Sequence, residues 1–117
     1  LDLRLADTDD LGSGAVRALL GGEPTECPQA WVEADPMAAR LHVPAVLLHG
    51  RSDDLVPSEV SASYLRSRGP LDAPCRLELV PACDHFGIID PRHAAYERVL
   101  AAIGEVAGTS PAGEPRP

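Results

Sequence analysis

Residues 43 to 57 read VPAVLLHGRSDDLVP. The run from Val43 to His49 is continuously apolar up to its final histidine, too short for a helix, and bounded by Pro44 and Gly50. That pattern predicts a strand buried on both faces of a parallel sheet. A turn and a helix are expected next. Pro57 suits a first helical position, Glu59 falls in the positive first turn, and Val60, Tyr64 and Leu65 form an apolar face. Arg66 and Arg68 occupy the last turn, and Gly69-Pro70 stops it. A second strand is expected at Arg76–Val80 (RLELV), followed by a polar loop, PACDHFGIID. Asp90 and Pro91 are placed to cap a last helix, in which Ala95, Val99, Ala102, Ile103 and Val106 recur at helical spacing. Strand, helix, strand, helix makes a βαβα unit, which by handedness should be a right-handed parallel crossover.

Upstream the signals are weaker. Leu1–Ala6 alternates but is too short to classify. Asp10 fits the N-cap of a short helix, Leu11–Leu20, ended by Gly21-Gly22. Residues 23–44 hold four prolines and read as loop, with one helical turn around Gln29–Glu33. The tail Gly108–Pro117 (GTSPAGEPRP) is expected to be disordered. Two strands do not make a stable sheet, and one edge of the pair would expose unpaired backbone. The fold class expected is therefore α/β, with residues 1–107 forming the C-terminal part of a larger domain, incomplete on its own.

Composition narrows the function. The chain has 117 residues, enough for one domain, and 44% hydrophobic content allows a packed core. Aromatics are only 3%, so that core must come from Leu, Val and Ala. Eighteen acidic against 10 basic residues give a formal charge of −8, which disfavours a nucleic acid or an anionic membrane as partner. No apolar run approaches the roughly 18 residues that span a bilayer. The three cysteines, Cys27, Cys75 and Cys83, form no CxxC pair and read as buried reduced thiols. No signal peptide is present, but the chain opens on Leu1 rather than methionine. The compartment stays open on that ground, with the cytoplasm favoured.

In open α/β sheets, ligands bind beyond the carboxyl ends of the strands. The first strand delivers Gly50, Arg51, Ser52, Asp53 and Asp54 there, and the second delivers Cys83, Asp84, His85 and Phe86. An aspartate after one strand and a histidine after its neighbour supply the carboxylate–imidazole half of a nucleophilic triad. VPAVLLHGRSDDLVP resembles the G-x-x-D-x-x-V-P motif of the penultimate strand of α/β-hydrolases, and LVPACDHFGIIDP is similar to their histidine loop. LDLR at the start looks like the segment after the sixth strand in esterases, kynurenine-formamidase-like and prolyl-oligopeptidase-like hydrolases. The resemblance covers nearly all of residues 1–107. It implies a three-layer α/β-hydrolase sheet, a triad acid at Asp53 and a general base at His85. Asp54 falls outside the motif's fixed position and reads as a loop residue, free to face solvent or the amides opening the next helix.

One departure matters. Such enzymes need G-x-S-x-G upstream of both partners. Ser13 lies in LGSGA, and Ser52 has Asp54 where the second glycine belongs, so neither forms that elbow. The oxyanion-hole segment is missing as well. The resemblance thus implies a C-terminal fragment of a serine hydrolase acting on a small-molecule carboxylic ester or amide, inactive alone and needing no cofactor. The rival is a non-catalytic truncated product or a hydrolase-like binding domain. His49 reads as packed structure at the strand end, and His42 and His93 as ordinary loop and helix-start residues. Four scattered histidines have no metal-ligand spacing. Cys83 is two residues from His85 but on the histidine's own loop, a poor place for a nucleophile. Trp31 and Met37 read as packing.

Overall fold

The computed structural model describes residues 2–108; apart from Gly108, the tail expected to be disordered lies outside them. Six-residue strands β1 (Ala45–Gly50) and β2 (Cys75–Val80) pair in parallel, with Ala45 opposite Cys75 and Gly50 opposite Val80. Helix α4 (Glu59–Arg66) connects them, and α5 (Tyr96–Val106) follows β2 after a 3₁₀ turn at Gly87–Ile89. The mixed α/β character and the parallel βαβα order thus agree with the sequence pattern. Both strands begin and end within two residues of their expected limits.

The N-terminal third differs more. Leu1–Ala6, too short to classify by its alternation, contributes to a helix, α1 (Leu3–Thr8), because Asp2 caps it by accepting from the Leu5 amide at 3.0 Å. Asp10 caps nothing. It lies at φ 51° in a run with Gly12, Ser13 and Gly14, all at positive φ, so the expected ten-residue helix shrinks to α2 (Ala15–Leu20). The helical turn expected near Gln29 is α3 (Pro28–Ala34). Trp31 is buried there, its Nε1 donating to the Gly22 carbonyl at 3.1 Å and its ring 5.8 Å from the Arg4 guanidinium. Asp2 also accepts from the Ser63 hydroxyl, tying α1 to α4.

The last helix starts later than Asp90-Pro91 suggested. Asp90 accepts from the Arg92 amide, and the amides of His93 and Tyr96 bond three residues back, to Asp90 and His93 carbonyls. These bonds wind residues 90–95 into turns, so α5 begins only at Tyr96. Arg76 on β2 pairs with Glu105 of α5, and Glu78 of β2 with Arg98, exposed clamps worth little each.

Burial is where the strand expectation fails. Ala45–Leu48 are only half-buried, and full burial is reached at His49 and Gly50. The core is Val80, Cys83 and Ala95, with Leu48 and Ile88 packed on it. Of the apolar stripe expected in the last helix, Ala95, just before α5, and Ala102 are buried, while Ile103 and Val106 are exposed. An open groove of about 310 Å³ runs between β1 and α5, walled by Val46, Leu48, Val99, Ala102 and Ile103.

Along β1 the amide of Ala45 bonds to Pro74, and that of Arg51, just beyond the strand, to Val80. Backbone groups alternate in direction, so those of Val46 and Leu48 point away from β2, and the sheet of the described residues has no third strand to receive them. The purified chain is therefore expected to self-associate at this edge and to unfold over a shallow transition. Size-exclusion chromatography and denaturant titration check this. A monomer unfolding in one steep transition would contradict it.

Candidate active site

The site lies at the carboxyl ends of β1 and β2, where two loops are stitched together. Ser52 donates its amide to the Cys83 carbonyl at 2.9 Å, alongside the Arg51–Val80 bond. Close approach of the loops depends on Gly50: a Cβ there would run into the Cys83 carbonyl oxygen and lie 2.6 Å from that of Asp84. Ala82 turns the second loop at φ 48°, a left-handed conformation that non-glycine residues adopt at a cost of about 1 kcal/mol.

These constraints place His85 against Asp53. His85 Nδ1 lies 2.8 Å from Asp53 Oδ2, across the 32 residues that separate them in sequence. Asp53 Oδ1 accepts from the Leu55 amide at 3.0 Å and from the Val56 amide at 2.8 Å, closing a tight turn. Burial alone would raise the Asp53 carboxyl, but the Val56 amide, the His85 hydrogen bond and the Leu55 amide outweigh it. The group is held below the ordinary aspartate value and stays ionised at neutral pH. A carboxylate only accepts, so Nδ1 of His85 carries a proton and, in the neutral ring, Nε2 is the basic nitrogen. Nε2 has no protein partner among the described residues. The His85 side chain is 38% exposed, while that of Asp53 is 6% exposed. The imidazole thus reaches solvent while its carboxylate is sheltered. Phe86 packs edge-on to the His85 ring, with centroids 5.1 Å apart.

Both groups border an open cavity of about 340 Å³ with apolar walls from Leu48, Val56, Phe86, Ile88 and Ile89. Phe86 and Ile89 are more than half exposed. A base with a free nitrogen at the edge of such a cavity can take a proton from a hydroxyl placed there and return it to a leaving group.

The other candidates separate cleanly. Asp54 is exposed and makes no side-chain hydrogen bond within the described residues. It thus faces solvent, one of the two orientations expected for it. His93 accepts from the Ala95 amide at 3.1 Å and shapes the approach to α5, and His42 is exposed. Cys83 is fully buried, its Sγ donating to the Asp84 carbonyl. Burial, and then the Asp84 and Asp53 charges, push its thiol up, which suits packing rather than nucleophilic attack. His49 is buried as expected, but it is more than filler. Its ring contacts Val56, Ser61 and Asp53. Nothing in the spacing of the sequence marked that network, because Ser61 is drawn in from α4.

No group of three or more His, Cys, Asp or Glu side chains among the described residues is arranged to hold a metal ion, and no helix among them is long and apolar enough to cross a membrane. Comparison with known proteins returned no match, whether to protein-family models, curated proteins or solved structures.

Proposed function

We propose that this chain is the C-terminal part of a serine α/β-hydrolase that cleaves a carboxylic ester or amide, contributing the acid and the base of the triad. The observation that carries the reading is the 2.8 Å contact between Asp53 Oδ2 and His85 Nδ1, with the opposite ring nitrogen unpartnered beside an apolar-walled cavity. The half-exposed β1 and the uncovered groove along α5 support a sheet that continues past β1, where a segment carrying the nucleophile would lie.

In the assembled enzyme the serine hydroxyl attacks the carbonyl carbon while His85 Nε2 takes its proton. Asp53 stabilises the imidazolium and keeps Nδ1–H directed at itself. His85 then protonates the leaving alcohol or amine, the acyl-enzyme forms, and water deacylates it by the same two proton transfers in reverse order. This chemistry needs no cofactor.

The test compares two proteins. The 117-residue chain alone is expected to give no turnover of a short p-nitrophenyl ester, because serine attack and oxyanion stabilisation supply most of the acceleration. The full product of its gene is expected to turn the ester over and to be labelled by an organophosphonate upstream of Leu1. Turnover by the 117-residue chain, with the label on one of its own residues, would sink the half-site reading. A full product that neither turns over esters nor takes the label would leave the non-catalytic rival.

A further inference from the structure

The chemistry above uses His85 and leaves His49 without a part, although His49 is the more thoroughly bound of the two. It is buried at the end of β1, with Nε2 2.8 Å from the Val56 carbonyl oxygen and 3.4 Å from Asp53 Oδ2. Its Nδ1 lies 2.8 Å from Ser61 Oγ on α4. A carbonyl oxygen only accepts, so Nε2 carries a proton. In the neutral ring Nδ1 then accepts from the Ser61 hydroxyl, so the Val56 carbonyl selects the tautomer and Ser61 holds the ring's orientation.

The consequence concerns the turn that holds the acid. Asp53 Oδ1 gathers the amides of Leu55 and Val56, while Oδ2 serves His85. Val56 is therefore gripped from two sides, its amide by Asp53 and its carbonyl by His49. The intervening Asp54 and Leu55 are exposed and give the turn little support of their own. Without the grip on the Val56 carbonyl, the far end of the turn would hang on the same carboxylate that must face His85.

We propose that His49 is a positioning residue for the Asp53–His85 pair, its Nε2–H anchoring the acid's turn through Val56 and its ring oriented by Ser61. This rests on reading Asp53 and His85 as acid and base, but its test needs no turnover. The 117-residue chain is labelled with ¹⁵N in histidine and ¹³C in the aspartate carboxyls and followed by nuclear magnetic resonance. Three variants are compared. H49F keeps a ring without a donor, H49Q restores an N–H near the Nε2 position, and S61A leaves the ring but removes the hydroxyl that orients it.

In H49F the Val56 amide is expected to exchange with solvent about fivefold faster, as loss of a hydrogen bond of about 1 kcal/mol implies. The His85 Nδ1–H signal should broaden away, and the Asp53 carboxyl should titrate higher, toward the ordinary aspartate value. H49Q should behave as the unaltered chain in all three respects. S61A should shift the His49 Nδ1 signal, as loss of the hydrogen bond it accepts requires, and move Asp53 in the same direction as H49F by less. A folded H49F chain with unaltered Asp53 titration and His85 signal overturns the proposal. If H49F does not fold, S61A decides: a shifted His49 Nδ1 signal with an unmoved Asp53 overturns it. Either failure would leave the hydrolase reading to its own test, the phosphonate label.

Discussion

Asp53→Asn is expected to lower kcat of the full gene product on the order of 10⁴-fold, while Asp54→Asn costs about tenfold or less. The neighbours are the same residue type with the same formal charge, so composition cannot separate them. Geometry does. An asparagine at 53 can still accept the Leu55 and Val56 amides through its carbonyl oxygen, so the turn survives. Its NH₂ then replaces Oδ2, 2.8 Å from His85 Nδ1. Two donors cannot share that contact. His85 must turn its basic nitrogen inward and present Nε2–H to the cavity, the wrong tautomer for taking a proton. Asp54 acts only through its field, which solvent weakens at an exposed position. Steady-state kinetics of the two variants give the comparison, with circular dichroism verifying that both fold. A crippled Asp54→Asn and a mild Asp53→Asn would show that the G-x-x-D register has been carried over wrongly.

Gly50→Ala should act at the same site through the backbone. The added methyl would meet the Cys83 and Asp84 carbonyl oxygens, both main-chain atoms with no rotamer to escape into. The loops must separate, breaking the Ser52–Cys83 bond and carrying His85 away from Asp53. Overpacking against rigid neighbours costs about 3 kcal/mol, a large share of a small domain's stability. The expected outcome is a denaturant midpoint lowered accordingly and loss of the His85 Nδ1–H signal. Unchanged stability, with the signal intact, would show that the two loops can part without disturbing the pair.

Much of this was legible from local pattern. The run from Val43 to His49, bounded by Pro44 and Gly50, could hardly be anything but a strand, and RLELV supplied its neighbour. A parallel pair with one crossover brings equivalent strand ends side by side, which set an aspartate near His85; the resemblance to the G-x-x-D motif then picked Asp53 over Asp54. What resisted reading depended on contacts distant in sequence or on backbone angles. Helix α1 needs Asp2 to turn back on Leu5, a bond that alternation of Leu and charge hides. Asp10 had the side chain of a cap but stands in a glycine-rich segment that takes left-handed angles. His49 looked like filler because its partner Ser61 arrives on another element. Burial of β1 on both faces was read from its apolar run, and among the described residues only His49 and Gly50 of the strand are fully buried.

Trp31 gives the molecule a spectroscopic label of its own. It is the single tryptophan of the chain, buried, and bonded to Gly22. Its emission therefore reports on the cluster of α1, α2 and α3, while Tyr64 on α4 and Tyr96 on α5 report on the unit that carries the acid and base. The indole can be excited apart from the phenols, so one melting experiment yields two transitions, one for each part. If they coincide, the bond from Asp2 to Ser63 joins a single cooperative body. If they separate, the helical cluster is a rider on an independently folding half-site.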